Sequence, residues 1–183
     1  HNGAAKCWGS NAIGQLGDGT TTTNQIPVTV SGLSSGVTSI AVGDSHACAT
    51  LSDGTIRCWG SNNFGQLGDG TTTNSLVPVT VSGISLGATK VSLGYRHSCA
   101  LVSGGVKCWG YNNYGQLGNG TTTASYTAVD ATGLTSGVVD MSTSGDAVGG
   151  YSTTCAIDSF GAVKCWGANS FGQVGDGTLS SRT

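Results

Sequence analysis

The sequence predicts an all-β fold assembled from repeated units, and three observations carry that prediction. First, the tripeptide Cys-Trp-Gly occurs at Cys7, Cys58, Cys108 and Cys165, at spacings of 51, 50 and 57 residues. Each copy runs on through a variable residue, Asn, two further residues and Gly-Gln: CWGSNAIGQLGDGT, CWGSNNFGQLGDGT, CWGYNNYGQLGNGT and CWGANSFGQVGDGT. Self-similarity at a fixed period of this size marks a repeat architecture. Second, strong helix formers are scarce: all nine acidic residues are Asp, and only seven Lys and Arg occur in 183 residues. Gly, Thr, Ser and Val dominate instead, a composition that favours strands and turns. Third, short β-branched runs alternate with Gly, Asp and Ser, the punctuation of strands and tight turns.

In the first full period the expected strands are PVTVSG (Pro27–Gly32), SIAVG (Ser39–Gly43), HACATL (His46–Leu51) and TIRCWG (Thr55–Gly60). The last two form a hairpin closed by Asp53-Gly54, the strongest short-range turn signal. Four strands in about fifty residues make one β-propeller blade. The expectation is a β-propeller of four-stranded blades, about three and a half of them in this chain, forming the arc of a larger ring. Residues 1–183 read as a single repeat domain with periods of approximately 1–57, 58–107, 108–164 and 165–183. HNGAAKCWG at His1 aligns with SDGTIRCWG at Ser52, so the chain starts in a hairpin turn; GDGTLSSRT stops before another PVTV-type strand. The expectation is a piece of a longer chain, with self-association of two copies into one ring as the rival, because an open arc leaves strand edges unpaired.

Six of the seven cysteines fall into like-placed pairs, Cys48–Cys58, Cys99–Cys108 and Cys155–Cys165, each flanking its hairpin turn. Such residues face each other on adjacent strands, within disulfide reach. Each bridge would staple one blade and contribute roughly 2.5–3 kcal/mol on the chain-entropy account. Cys7 is left over, and its register partner would lie on a strand before His1; a leftover cysteine flags an external or intermolecular partner. The competing reading is zinc held by His46, Cys48 and Cys58, or by His97, Cys99 and Cys108. It lacks a fourth ligand and the usual C-x₂₋₄-C spacing, and the third hairpin has Thr153 in place of the histidine. Disulfides place the protein in an oxidising compartment, outside the cell or on its surface.

The pattern Gly-x-x-His-x-Cys-Ala, Asp-Gly-x-x-x-Cys-Trp-Gly-x-Asn-x-x-Gly-Gln-Leu-Gly resembles the regulator of chromosome condensation repeat, and more narrowly its bacterial, cysteine-bearing branch. The resemblance covers nearly the whole chain and implies a propeller, usually of seven blades. It also implies that loop positions on one face meet partners, and it raises, through an ultraviolet photoreceptor of this fold, a chromophore role for Trp8, Trp59, Trp109 and Trp166. The plainer reading of those four residues is inter-blade core, which a large apolar ring fills well.

Catalysis finds no support. His46 and His97 occupy the same repeat slot and read as buried histidines bonded to neighbouring backbone. No nucleophile elbow, phosphate loop or dinucleotide fingerprint is present, and no cofactor or metal site is expected. Asp18, Asp69 and Asp176 in the GDGT stretches read as turn formers, not calcium ligands, since the third copy has Asn119 and no terminal Glu follows. No basic patch marks a nucleic-acid partner. No apolar run approaches the roughly 18 residues of a membrane-spanning helix.

The informative positions are those that vary inside the constant frame. Before the histidine slot stand Asp44-Ser45, Tyr95-Arg96 and Tyr151-Ser152; after each Trp-Gly stand Ser10, Ser61, Tyr111 and Ala168. Frame residues build the blade, and variable loop residues meet partners. Tyr and Arg are also enriched in interface hot spots. The binding candidates are Asp44, Ser45, Tyr95, Arg96, Tyr111, Tyr151 and Ser152. The reading is a secreted or surface propeller, not an enzyme, that binds a protein or other macromolecule. Its alternatives are a structural subunit of a surface filament or adhesin, an inhibitor of a secreted enzyme, and a regulator of the guanine-nucleotide-exchange type.

Overall fold

Residues 3–145 and 151–183 are described in a computed structural model of the chain. Every strand among them pairs antiparallel with its neighbour in sequence. Strands β1 (Lys6–Gly9) and β2 (Asn24–Thr29) form the first sheet. The second contains β3 (Val37–Val42), β4 (His46–Leu51), β5 (Ile56–Gly60) and β6 (Ser75–Thr80), and the third β7 (Ala88–Leu93), β8 (His97–Val102), β9 (Gly105–Gly110) and β10 (Ser125–Asp130). The fourth contains β11 (Val138–Thr143), β12 (Thr153–Asp158) and β13 (Val163–Gly167); a bridge from Gly167 to Arg182 stands where the outer strand pairs in its siblings.

The first strand of each full sheet is innermost. Strand β3 lies against β7, and β7 against β11. Lys90 and Asp140 form an ion pair of 2.5 Å between β7 and β11, and Ser92 Oγ lies 2.9 Å from Thr143 Oγ1. The sheets therefore radiate from a common axis as blades, in an arc of about three and a half.

The blade boundaries differ in phase from the expected grouping. The strand containing Pro27 pairs back onto the preceding Cys-Trp-Gly strand, with Cys7 opposite Val28, and its equivalent β6 pairs with β5, Cys58 opposite Val79. It thus closes one blade and does not open the next. It also starts at Asn24 and not at Pro27. Antiparallel strands close in sequence are spatial neighbours, and proline, which cannot donate to a ladder, is tolerated on an edge. Both prolines, Pro27 and Pro78, lie on these outermost strands.

The hairpin reading holds in detail. Gly54, at φ +78°, donates its N–H to the Leu51 carbonyl, while Asp53 Oδ1 accepts from the Thr55 N–H and hydroxyl at 2.8 and 2.7 Å. The next blade has a shorter turn, Ser103-Gly104, with both residues at positive φ (51° and 77°), the requirement of a two-residue hairpin loop. This shortening explains why the Cys99–Cys108 bridge spans 9 residues and the other two span 10. All three expected disulfides are present, between directly paired residues with Cα atoms 4.1 Å apart. The sulfurs that the zinc reading requires are thus consumed. Cys7 is a half-buried free thiol.

The core lies between blades. Trp59 and Trp109 are fully buried and Trp166 nearly so; their indole N–H groups donate to the carbonyls of Gln15, Gln66 and Gln116 in the preceding blade at 2.9, 2.9 and 3.0 Å. The glycine two residues beyond each of those glutamines packs on the same ring. A Cβ at Gly68 would stand 2.7 Å from the Trp109 indole. Trp8 departs from the expected core role. It is 62% exposed, because among the described residues no sheet lies against it on that side.

The buried histidines also differ from expectation, since their partners are side chains of the next blade. His46 Nε2 lies 3.0 Å from Ser98 Oγ, and His97 Nε2 lies 3.0 Å from Thr154 Oγ1. Each hydroxyl donates onward to a glutamine carbonyl, Ser98 to Gln66 at 2.8 Å and Thr154 to Gln116 at 3.0 Å. With its proton committed, the hydroxyl accepts, so Nε2 carries the imidazole proton. Nδ1 of each ring is buried without a partner among the described residues, facing Gly43 or Gly94, where a Cβ would stand only 3.1 or 2.4 Å from it. The Gly-x-x-His spacing exists to admit the ring.

Candidate functional site

In the paired hairpins His46 stands opposite Gly60, His97 opposite Gly110, and Thr153 opposite Gly167. The loop before each histidine slot and the loop after each Cys-Trp-Gly strand therefore leave the sheets at the same end. The variable positions singled out above share one face of the arc for this reason.

The long loop on that face is held by its own asparagine. Asn62 Oδ1 accepts from the Leu67 N–H at 2.9 Å, while Nδ2 donates to Asp69 Oδ1 and to the carbonyl and hydroxyl of Thr71 at 3.2, 3.1 and 3.1 Å. Asn11, Asn112 and Asn169 repeat the arrangement. The acidic residue of GDGT is a turn former: Asp69 Oδ1 accepts from the Thr71 N–H and hydroxyl, both at 2.9 Å, and Asn119 does the same for Thr121.

On this frame the aromatic candidates converge. Tyr111 packs edge-on against Phe64 at 5.4 Å between centroids and meets Tyr114 at 6.3 Å. Tyr114 lies against Tyr151 at 5.0 Å, and Tyr151 against Phe171 at 6.1 Å. The Arg96 guanidinium carbon stands 4.3 Å from the Phe64 ring centre, 4.8 Å from that of Tyr95 and 5.9 Å from that of Tyr111. Tyr95, Arg96, Tyr111 and Tyr151 thus form one strip, which Phe64 extends to a third blade. The strip also contains Phe64, Tyr114 and Phe171, which the sequence reading missed. They share the slot before Gly-Gln with Ile13, a slot that looked like part of the frame.

The other three candidates are placed differently. Asp44 is exposed and lines, with Tyr95, Gly94 and Gly145, an open cavity of about 410 Å³ near the axis. Ser45 is half-buried, and its carbonyl accepts from the Ser61 N–H at 2.9 Å. Ser152 faces inward, 1% exposed, with its hydroxyl unpartnered among the described residues. It does not reach the strip.

Antiparallel sheets around an axis, sealed by tryptophans, define a repeat propeller module. The chain belongs to the Regulator of chromosome condensation (RCC1) repeat family. One model of that repeat matches residues 2–50 and 53–101, and a second matches 37–66, 88–116 and 146–173. The chain is 33% identical over 179 residues to the Ultraviolet-B receptor UVR8 of Arabidopsis thaliana, covering 96% of this chain and 39% of that protein. It also resembles the crystal structure of human WBSCR16 (TM-score 0.82, 25% identity, 99% of this chain and 47% of the other). Yeast RCC1 (Prp20), solved bound to Kap60, shares the fold at TM-score 0.77 and 22% identity, over 100% of this chain and 44% of the other. The chain spans less than half the length of each of these relatives.

Proposed function

We propose that this chain is a non-catalytic propeller module that binds another protein through the aromatic strip. The observation that carries this reading is the convergence of Tyr95, Arg96, Tyr111 and Tyr151. Four variable positions from two neighbouring blades join three further rings into one surface. Rings of this kind supply large contact area at low entropic cost and dominate interface energetics. Prp20, which shares the fold, was solved bound to Kap60. The three disulfides support a setting outside the reducing cytosol, and with it the cysteine-bearing branch of the family.

The test places a photo-crosslinking residue at Tyr111 on the strip and, separately, at Thr89 near the opposite end of the blades. Adducts to a discrete protein from Tyr111 alone, abolished by Tyr95→Ala with Tyr151→Ala, support the reading. Equal adducts from both positions sink it. An exchange-type regulator is the second reading, and it requires a reduced cytosolic chain. Seven titratable thiols in native material would favour it over the secreted reading.

A further inference from the structure

Among the described residues, the Arg96 guanidinium is held in place without a counter-charge. Rings of Phe64, Tyr95 and Tyr111 surround it at 4.3, 4.8 and 5.9 Å. The ion pairs among the described residues are Lys90–Asp140, Lys107–Asp130 and Arg182–Asp176, so no described carboxylate neutralises it. The residue is half-buried, and the equivalent positions in the neighbouring blades are Ser45 and Ser152. The cation is therefore a single feature of the strip, not a property of the repeat.

A guanidinium stacked on aromatic rings uses its faces and leaves its N–H edges free. Those edges form a rigid fork of donors that matches a carboxylate in bidentate geometry. Desolvation by the surrounding rings strengthens any ion pair formed there. One isolated cation suits one carboxylate, whereas a phosphorylated partner is held by a cluster of Arg residues.

We infer that Arg96 is the anchor of the strip and takes an Asp or Glu side chain of the partner protein. The inference rests on the protein-binding reading above and specifies its chemistry. The rings of Tyr111, Tyr114 and Tyr151 then cover apolar residues beside the acidic one.

The probe is a random-sequence peptide display library, selected on the native disulfide-bonded chain and scored against Arg96→Gln, Arg96→Lys and Tyr111→Ala. Unchanged circular dichroism and melting of each variant establish that it is folded. The expected result is a selected set in which an Asp or Glu recurs. Replacing that residue by Asn or Gln, or Arg96 by Gln, should weaken binding about ten- to hundred-fold, the range of a hydrogen-bonded charge pair. Making both changes together should weaken binding little further, as for a directly coupled pair. Arg96→Lys should recover only part of the affinity, because an ammonium lacks the fork. Peptides without acidic bias that bind Arg96→Gln equally but lose affinity with Tyr111→Ala overturn the inference and leave the protein-binding reading standing. A library yielding no binder sensitive to Tyr111→Ala, beside an oligosaccharide array yielding one, overturns both.

Discussion

The indole N–H of Trp109 donates to the main-chain carbonyl of Gln66, 2.9 Å away in the preceding blade, and the same carbonyl accepts from the Ser98 hydroxyl at 2.8 Å. One peptide oxygen thus anchors the tryptophan of one strand and the hydroxyl that receives His46. Gln116 repeats the arrangement with Trp166 and Thr154. The tryptophan, glycine and glutamine recur at all three seams, while the hydroxyl is present at two, because Ala47 stands in its slot beside Trp59 and Gln15. The indole fills the gap, Gly68 or Gly118 lets the backbone approach it, and the shared carbonyl fixes its rotation.

Trp109→Ala should therefore be among the most damaging single changes. It removes a fully buried ring and a hydrogen bond at a seam. The expected cost is about 3–5 kcal/mol, the range for large aromatics in cores. Trp8→Ala, in the same repeat slot but 62% exposed, should cost within about 0.5 kcal/mol, as surface changes do. Urea denaturation of the two variants beside the parent chain measures the contrast. Equal losses would mean that the Trp8 face is covered in solution.

Acid should loosen the seams before it reaches the carboxylates. Burial holds His46 down to about 4 and His97 to about 3, the latter with a smaller push from His46, against an ordinary value of 6.5. Between pH 6.5 and about 4 the unfolded chain binds more protons than the folded one, so stability falls as pH falls. With both sites the slope should approach about 2.7 kcal/mol per pH unit within that window. The hydrogen bonds from Lys90 to Asp140 and from the Thr55 hydroxyl to Asp53 hold those carboxyls below their usual range, so their contribution is lost only in stronger acid. Urea midpoints from pH 7 to pH 4.5 check the slope, and His97→Gln should roughly halve it. A flat profile would mean that both rings are hydrated.

The same seams show what a sequence discloses and what it withholds. Cys48 and Cys58 were legible as a bridge because a hairpin with an Asp-Gly turn puts them directly opposite. The burial of Trp59 was legible from its slot, yet Trp8 has that slot without the burial, because a slot specifies a side chain and not the neighbour that covers it. A period has no marked beginning, so the strand containing Pro27 could be placed in either of two blades; only the pairing of Cys7 with Val28 decides. The partner of His46 was hidden because the receiving position varies as Ala47, Ser98 and Thr154, which looks like noise until the blades are packed. Tyr95, Arg96, Tyr111 and Tyr151 stood out by differing from their counterparts. Phe64, Tyr114 and Phe171 did not, since Ile13 made their slot look merely apolar.

Asn62 should prove more sensitive than its loop position suggests. Its amide makes four hydrogen bonds that close the loop carrying Phe64. Asn62→Ala leaves the buried Leu67 N–H without its acceptor, at a cost of about 1–3 kcal/mol for that group alone. Asn62→Asp keeps the acceptor but sets a second carboxylate against Asp69, and it should lose comparable stability at neutral pH and regain part in acid. Asn119→Asp supplies the residue found in the other three copies and should shift stability by less than about 0.5 kcal/mol. Thermal melts of the three variants test the ranking. An Asn62→Ala chain as stable as Asn119→Asp would show that water replaces the amide.

The cysteines should divide cleanly into two kinds. Native material should present one alkylatable thiol, Cys7, and denatured, reduced material all seven. Burial pushes the Cys7 thiol up from its ordinary value, so less of it is thiolate at pH 8 and its reaction with iodoacetamide should be slower than that of a free cysteine peptide. Adding denaturant should restore the ordinary rate. Replacing Cys99 and Cys108 together by Ser should lower stability by roughly 2.5–3 kcal/mol, since that bridge closes one of the short loops. The Cys7 rate should stay unchanged, because the first sheet does not contain that hairpin. Rapid native labelling at more than one cysteine would show that the hairpins are not stapled, and the case for an oxidising compartment would fall with them.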